Sequence, residues 1–237
     1  MVPAHFATAL VAHGKFPEKT SYLILFLVAC QIQDFMWFTL HYFGLETTLP
    51  ESLLDMTVSG LDVDMRFSHD IVPNIVWAAL MFVIGYLVSR NWKIALTASF
   101  LTVLHVIMDL TIGYPHHING PGTAGVGTSS FVTHPSLSFF IDMVVSVAMV
   151  YVFLNMEKKN GISRTKRNKR SLYLLFAMPA IIFGMMGSKS VMTWLGLPPI
   201  GESSINTTVL GLIVSYSFIF WAIVRLVKQR ETVPPPA

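Results

Sequence analysis

The chain has 237 residues, of which 53% are hydrophobic and 12% are charged. A soluble domain carries roughly twice that charged fraction, and several apolar runs of about twenty residues indicate a polytopic α-helical membrane protein in contact with the lipid bilayer. The single cysteine, Cys30, excludes an internal disulfide framework and a thiolate metal cluster. The net charge of +3 does not predict nucleic acid as a partner, because the basic residues cluster at the ends of predicted helices.

One short helix and six membrane spans are predicted in chain order. The short helix runs from about Pro3 to His13 and stops at Gly14, and it suits a re-entrant or interfacial position. The spans are predicted at about 21–43, 70–88, 94–112, 135–155, 171–195 and 205–227. The predicted fold class is therefore all-α, a polytopic integral membrane protein with about six transmembrane helices, and no discontinuous helix is evident.

The basic residues predict how these spans are oriented. Apart from Arg66 and Lys189, they lie at 15–19, at 90–93, in a linker at 157–170 and at 225–230, which are successive span ends on one side of the membrane. The positive-inside rule then places both termini in the cytoplasm. The basic linker also predicts a division between a four-span domain at 1–156 and a two-span C-terminal appendage at 171–237.

Histidine and aspartate mark the candidate site. All eight histidines lie within the first 134 residues, so histidine chemistry would be confined to the first four spans. His105 and Asp109 are four residues apart, which places both side chains on one face of a helix. Depths counted at about 1.5 Å per residue put further ionisable groups at a similar level in the outer half of the bilayer. These are His5, Asp34, His69 and Asp142, beneath the loop that carries His116 and His117.

Such a cluster favours a divalent metal ion. Imidazoles and carboxylates together suit zinc, iron or manganese, and ionisable side chains inside a membrane are costly unless they have a function. Two interpretations need no metal. His105 and Asp109 would form an internal hydrogen bond, or the whole set would be a polar cluster that holds helices together.

Five short segments occur in an order similar to that of a known family. They are 3–6 (Pro-Ala-His-Phe), 29–37 (Ala-Cys-Gln-Ile-Gln-Asp-Phe-Met-Trp), 43–46 (Phe-Gly-Leu-Glu), 64–69 (Asp-Met-Arg-Phe-Ser-His) and 104–109 (Leu-His-Val-Ile-Met-Asp). Over about residues 3–155 the chain resembles the membrane-bound metal-dependent hydrolase-like family, which includes the LexA-binding inner-membrane hydrolase-like proteins. That family shows an early P-x-H, a Q-x-x-D segment ending in G-L-E, and an S-H-x-x-x-D segment.

The resemblance implies a metal-dependent hydrolase-like protein of the prokaryotic cytoplasmic (inner) membrane. The metal ligands that it implies are His5, Asp34, His69, His105 and Asp109. Asp142 or His116 would be the catalytic general base that activates water. Zinc is the favoured metal, with iron or manganese as alternatives, and no organic cofactor is implied. An outer-leaflet site suggests a lipid-linked or extracytoplasmic ester, phosphoester or amide as the substrate.

Two other functions fit the same residues. Leu104 stands where the family has a serine before its histidine, and this departure favours a non-catalytic subunit of a larger membrane complex with a structural metal. In such a complex, or in a homo-oligomer, Gly184, Gly187 and Ser188 would pack against a partner helix. The third hypothesis is a transporter or channel that uses the buried carboxylates as proton or ion sites.

Overall fold

The computed structural model describes residues 2–202 and 204–232, and helices dominate this part of the chain. The helices are α1 (Val2–Lys15), α2 (Thr20–Ala29), α3 (Ile32–Tyr42), α4 (Ile71–Ser89), α5 (Trp92–Ile112), α6 (Ser130–Thr133), α7 (Pro135–Lys159), α8 (Lys166–Met185), α9 (Val191–Leu195) and α10 (Thr207–Lys228). Three antiparallel strand pairs join loops: β1 (Thr47–Leu49) with β2 (Asp62–Asp64), β3 (His116–His117) with β4 (Gly125–Val126), and β5 (Ile162–Ser163) with β6 (Glu231–Thr232). The predicted all-α class is confirmed.

Four helices in this part of the chain are long and apolar enough to cross a membrane, namely α4, α5, α7 and α10. A fifth span results if α2 and α3 are counted as one bent pair. The predicted number of six is not confirmed, because the predicted span at 171–195 divides into α8 and the short α9. The apolar part of α8, residues 171–185, is only about 22 Å long, whereas a bilayer core is about 30 Å thick.

The predicted first span is broken in the middle. α2 and α3 meet at an angle of 59° around Cys30 and Gln31, so the expectation that no helix is discontinuous is wrong. The break frees backbone carbonyls, and two α5 side chains hydrogen-bond to them. Thr102 Oγ1 donates to the Ala29 carbonyl at 2.9 Å and His105 Nδ1 donates to the Cys30 carbonyl at 2.7 Å. Irregular backbone is tolerated at membrane depth when protein groups satisfy it in this way.

α1 lies inside the bundle rather than on its surface. Ala4, Ala7 and Ala9 are fully buried, and such small side chains let neighbouring helices approach closely. The larger side chains of α1 are equally buried, with Phe6 and Leu10 in the main apolar core. This burial is what a re-entrant helix needs, and an interfacial helix would leave one side exposed.

The two C-terminal helices share that core. Leu172 and Phe176 of α8 and Tyr216 and Ile223 of α10 belong to the same apolar cluster as α1 and α2. The small residues at the end of α8 and just after it also contact α7 within this chain. A Cβ atom on Gly184 would lie 3.5 Å from Phe139, and one on Gly187 would lie 3.2 Å from Pro135. The close packing expected of these glycines with a partner helix is therefore found inside the chain.

The two ends of the bundle differ in how they are closed. At the end where α5 finishes, the long connection between α3 and α4 covers the bundle. Its Val58 and Ser59 amides donate to the carbonyls of Met186 and Gly187, and the Tyr114 hydroxyl donates to the Val58 carbonyl. At the other end, the basic connection between α7 and α8 pairs with the chain after α10 through β5 and β6.

Candidate metal centre

Five buried side chains from four parts of the chain meet at the covered end of the bundle. His5 is in the first turns of α1, and Asp34 is in the first turn of α3. His69 comes just before α4 begins, while His105 and Asp109 face inward from the last turns of α5. These are the five ligands implied by the family resemblance, and the structure brings all of them together, including His5 on the re-entrant helix.

Each imidazole of this cluster faces a carboxylate through its Nε2 atom. The distance is 3.4 Å from His5 to Asp109 and 3.3 Å from His69 to Asp34. His105 faces both carboxylates, at 3.1 Å from Asp109 and 3.9 Å from Asp34. Two overlapping groups, one with His5, His105 and Asp109 and one with Asp34, His69 and His105, have ligand atoms close enough to hold a metal ion.

These separations match ligands around one ion better than they match hydrogen bonds. Three of the four exceed the usual N–H···O range of about 2.7–3.2 Å. Ligand atoms about 2.1 Å from a tetrahedral zinc ion lie about 3.4 Å apart, and octahedral neighbours lie about 3.0 Å apart. The observed distances therefore resemble the edges of a coordination shell, and the donor set fits zinc, iron or manganese.

The orientation of His105 gives an electrostatic reason for a cation. Since its Nδ1 donates to the Cys30 carbonyl, a neutral imidazole presents the lone pair of Nε2 to Asp34 and Asp109. This Nε2 has no hydrogen-bond partner among the described residues, nor has either ring nitrogen of His5. A lone pair directed at two carboxylates is unfavourable unless a metal ion or a proton lies between them.

A network of hydrogen bonds holds His69 in place. Its Nδ1 lies 2.8 Å from the Ser68 hydroxyl, and the backbone amides of Phe67 and Ser68 both donate to Glu46 at 2.8 Å. Burial raises the pKa of the Glu46 carboxyl, and the two amide donors oppose that shift. Partners of this kind orient a metal-ligating histidine and fix its tautomer.

His116 lies directly over this cluster but is not in either ligand group. Its ring stacks on His69 with a centroid distance of 5.4 Å. Asp70 holds the β3–β4 hairpin here by accepting hydrogen bonds from the amides of His117 and Gly120. Burial, with the nearby His69 as the second cause, lowers the pKa of His116 to about 3. His116 is therefore a neutral imidazole at neutral pH, which is the form that ligation or proton acceptance needs.

Asp142 lies beside α1 rather than facing the cluster. One of its carboxylate oxygens accepts hydrogen bonds from the Ala4 amide at 3.0 Å and the Ser146 hydroxyl at 3.4 Å. The other oxygen has no hydrogen-bond partner in the part of the chain that the structure describes. This geometry joins α7 to the N-terminal end of α1, where His5 is held. His116 therefore lines the cavity beside the candidate metal ligands, whereas Asp142 contacts the helix that carries His5.

A cavity of about 80 Å³ adjoins the cluster. His5, Asp34, His69, Asp109 and His116 form its polar wall. The remaining wall is mainly apolar and comes from the covering connection and from α6, α7, α8 and α10. It includes Met56, Met65, Phe131, Phe139, Phe183 and Leu212. A polar group next to the cluster would therefore face the ionisable wall on one side and hydrocarbon on the other.

Two aromatic residues at the cluster were not singled out as functional from the sequence. Trp37 lines the cavity beside His69, and its indole N–H donates to the Thr48 hydroxyl at 3.0 Å. Tyr216 of α10 also lines the cavity and interacts with Asp34 through its hydroxyl. Tyr216 is four residues after Leu212, another wall residue, so both lie on one face of α10. That spacing of a polar residue from an apolar one was the only signal in the sequence.

The chain was compared with family models, curated proteins and solved structures, and none of these comparisons gives a match.

Proposed function

We propose that this protein is a membrane-embedded, metal-dependent hydrolase-like protein with one divalent-metal centre. The observation that supports this most strongly is the arrangement around His105. Its Nδ1 is used by a backbone carbonyl, and its Nε2 meets two carboxylates within 3.9 Å without a hydrogen bond. The resemblance of residues 3–155 to the hydrolase-like family supports the same proposal of a metal-dependent hydrolase-like protein. Zinc is the metal we expect, with iron or manganese as alternatives.

The proposed reaction is hydrolysis next to this centre. His5, Asp34, His69, His105 and Asp109 would hold the metal, which when bound supplies Lewis acidity and a nucleophilic water near neutral pH. His116 faces the cavity and would accept the proton from the attacking water. Asp142 would position His5 by holding the start of α1. The apolar wall would exclude bulk water and strengthen the electrostatic interactions inside the cavity.

We further propose that the protein lies in a prokaryotic cytoplasmic membrane with both termini in the cytoplasm. The basic residues at 90–93, at 157–170 and at 225–230 support this orientation because they gather at one end of the bundle. The metal centre would then lie in the outer half of the bilayer. From there it could reach a lipid-linked or extracytoplasmic ester, phosphoester or amide.

The experiment is an assay of ester and phosphoester hydrolysis by the purified full chain loaded with zinc, iron or manganese. We expect His116→Gln to lose about a hundredfold in turnover if it is the general base, with metal content unchanged. Asp142→Asn keeps an acceptor for the Ala4 amide, so we expect a smaller loss. Full activity in His116→Gln would assign the proton transfer to another group. No turnover with any metal would contradict the hydrolase proposal.

One observation favours the alternative of a non-catalytic subunit with a structural metal. Asp142, one of the two predicted general bases, does not line the cavity that adjoins the metal ligands. In that case the metal would join α1, α3 and α5 without turnover. Purification in mild detergent tests this alternative, because stoichiometric partner proteins would support it and a lone monomer or homo-oligomer would argue against it.

A further inference from the structure

A second void shares one residue with the cavity at the candidate metal centre. A groove of about 650 Å³ lies between α8 and α10, and Phe183 lines both this groove and the cavity. Along α10, residues that line the cavity alternate with residues that line the groove. Leu212 and Tyr216 line the cavity, and Ser215 and Ile219 line the groove. Phe183 and this stretch of α10 therefore form the partition between the two voids.

The groove faces the surroundings of the bundle at membrane depth. It lies against α10, which is long and apolar enough to span a membrane. Its wall is mostly hydrocarbon, and Met178, Ile182 and Phe218 are each about half exposed. From Ser171 to Phe183 it follows α8 for about 18 Å, which is more than half the thickness of a bilayer core. Hydrocarbon chains are what such a surface contacts in a membrane.

The sizes of the two voids suit different parts of one amphiphilic molecule. At about 80 Å³ the cavity has room for a small polar group but lies well below the range of about 300–1,000 Å³ typical of ligand pockets. The groove lies within that range. A molecule that places its polar group beside the His/Asp cluster must therefore extend elsewhere, and the groove begins on the other side of Phe183.

Aromatic packing keeps the partition apolar. Phe183 stacks on Phe139 with a centroid distance of 5.9 Å, and Phe139 stacks on Phe131 at 4.9 Å. A passage opened by rotation of the Phe183 ring would be lined by hydrocarbon on both sides. A polar chain would lose its hydration there without gaining hydrogen bonds, whereas a hydrocarbon chain loses nothing.

The charges at the two ends of the groove indicate which way an amphiphile lies. The far end carries Arg225, whose guanidinium packs over the Trp221 ring at 5.2 Å. The near end leads to three imidazoles, two carboxylates and, on the proposed function, a divalent cation. A carboxylate or phosphate head group is a direct ligand for such a cation, while Arg225 offers one cation already in contact with an aromatic face.

We propose that the α8–α10 groove binds the hydrocarbon chain of a long-chain lipid whose polar head lies at the His/Asp centre, with Phe183 as the gate between them. This inference rests on the proposed function and narrows its substrate class to acyl or other long-chain amphiphiles that enter sideways from the bilayer.

Photolabelling with long-chain fatty acids tests both the site and its direction. The full chain is reconstituted in phosphatidylcholine vesicles with either of two probes, one carrying a diazirine beside the carboxyl group and one carrying it near the methyl end. Labelled residues are identified by peptide mass spectrometry. We expect the first probe to label the region of Phe183 and Leu212, and the second to label the region of Ser171 and Leu226. The reverse pattern would mean that Arg225 binds the head group and would overturn the proposal.

A pair of neighbouring substitutions separates the groove from ordinary lipid contact. Ser215→Trp places an indole in the groove beside the partition, while Val214→Trp places the same side chain on the exposed side of α10, outside the groove. We expect Ser215→Trp to reduce labelling of the groove several-fold and Val214→Trp to leave it unchanged. Equal labelling in both variants, or uniform labelling of all lipid-facing helices, would overturn the proposal.

Metal content distinguishes failure of this inference from failure of the proposed function. The metal bound by the wild type and by both tryptophan variants is measured on the same samples by elemental analysis. Bound metal with no preference for the groove would refute the lipid path alone. Absence of metal would refute the metal centre, and the labelling pattern would still show whether the groove holds a chain.

Discussion

Two buried clusters of charged side chains lie at opposite ends of the bundle, and they differ in how their nitrogen atoms are paired. In the first, Arg164 donates to both carboxylate oxygens of Glu157, to Asn168 and to the carbonyls of Leu226 and Val227 at the end of α10. One positive and one negative charge cancel, and the last carbonyls of a helix gain donors. This cluster is a structural clamp between the α7–α8 connection and α10.

The second cluster, at the covered end, combines two carboxylates with three imidazoles, and the facing nitrogens of His5 and His105 lack hydrogen-bond partners in the described chain. Asp34 and Asp109 face His5, His69 and His105 at 3.1–3.9 Å. With neutral imidazoles, the two carboxylates and the ring nitrogens together form a donor set that suits a divalent cation. The comparison teaches that burial and charge alone do not mark a binding site, whereas buried ring nitrogens without hydrogen-bond partners point to one.

The clamp can be broken by Arg164→Ala. We expect the free energy of unfolding to fall by about 3–5 kcal/mol, because Glu157 would remain buried without a partner. Reversible unfolding in mixed micelles measures this, and metal content of the folded fraction should not change. Arg225→Ala is the control, since Arg225 is exposed at the same end of α10 and should cost less than about 1 kcal/mol. Loss of metal in Arg164→Ala would contradict the separation of the two clusters.

Removing a charge from the second cluster should raise the free energy of unfolding of the metal-free protein, whereas breaking the clamp lowers it. In metal-free protein, Asp34→Asn removes one of two repelling carboxylates, so we expect a gain of about 1 kcal/mol in unfolding free energy. In metal-loaded protein the same change removes a ligand, and the stabilisation by metal should disappear. Unfolding with and without a chelator measures both. A loss of stability in the metal-free protein would mean that the cluster is already balanced by protons.

The hydrogen bond behind His69 should have a smaller effect. Ser68→Ala removes the hydroxyl 2.8 Å from His69 Nδ1, and we expect metal affinity to fall about tenfold. Competition with a metal-sensitive dye measures the affinity. Ser89→Ala is the matched control, because Ser89 bonds the Gly85 carbonyl far from the cluster. Equal affinities in the two variants would show that Ser68 does not orient His69.

The smallest effect is expected for His13→Ala. His13 is buried on the same helix as His5 but about 12 Å along it, too far to reach the cluster. Metal content per folded chain should equal that of the wild type in elemental analysis. A deficit would mean that α1 transmits the change to His5, and the centre would then extend along this helix.

Four of the six predicted spans correspond to α4, α5, α7 and α10, because long apolar runs bounded by basic or polar residues report directly on membrane helices. The histidines and carboxylates of the cluster could also be noticed in the sequence, since ionisable residues are rare near such runs, but the choice of five ligands among them came from the family resemblance. Those signals are local, and each depends on only a few neighbouring residues.

The break between α2 and α3 could not be predicted in this way. The break consists of Cys30 and Gln31, so it contains neither of the residues, proline and glycine, that usually interrupt a helix. Its irregular backbone is held by Thr102 and His105 from a helix distant in sequence. The contribution of Tyr216 was missed for a similar reason. Its span contains no histidine or carboxylate, and only packing of α10 against α3 shows that it reaches Asp34. Both features arise from tertiary contacts rather than from local sequence.

The most direct test of the metal centre is elemental analysis of the detergent-purified chain by plasma mass spectrometry, beside the double variant His105→Ala/Asp109→Ala. We predict about one zinc, iron or manganese ion per wild-type chain, since the ligand groups share His105, and none in the double variant. Folded wild-type protein that binds no metal, even after incubation with each ion, would contradict the centre. The His/Asp cluster would then be a proton-carrying or structural network.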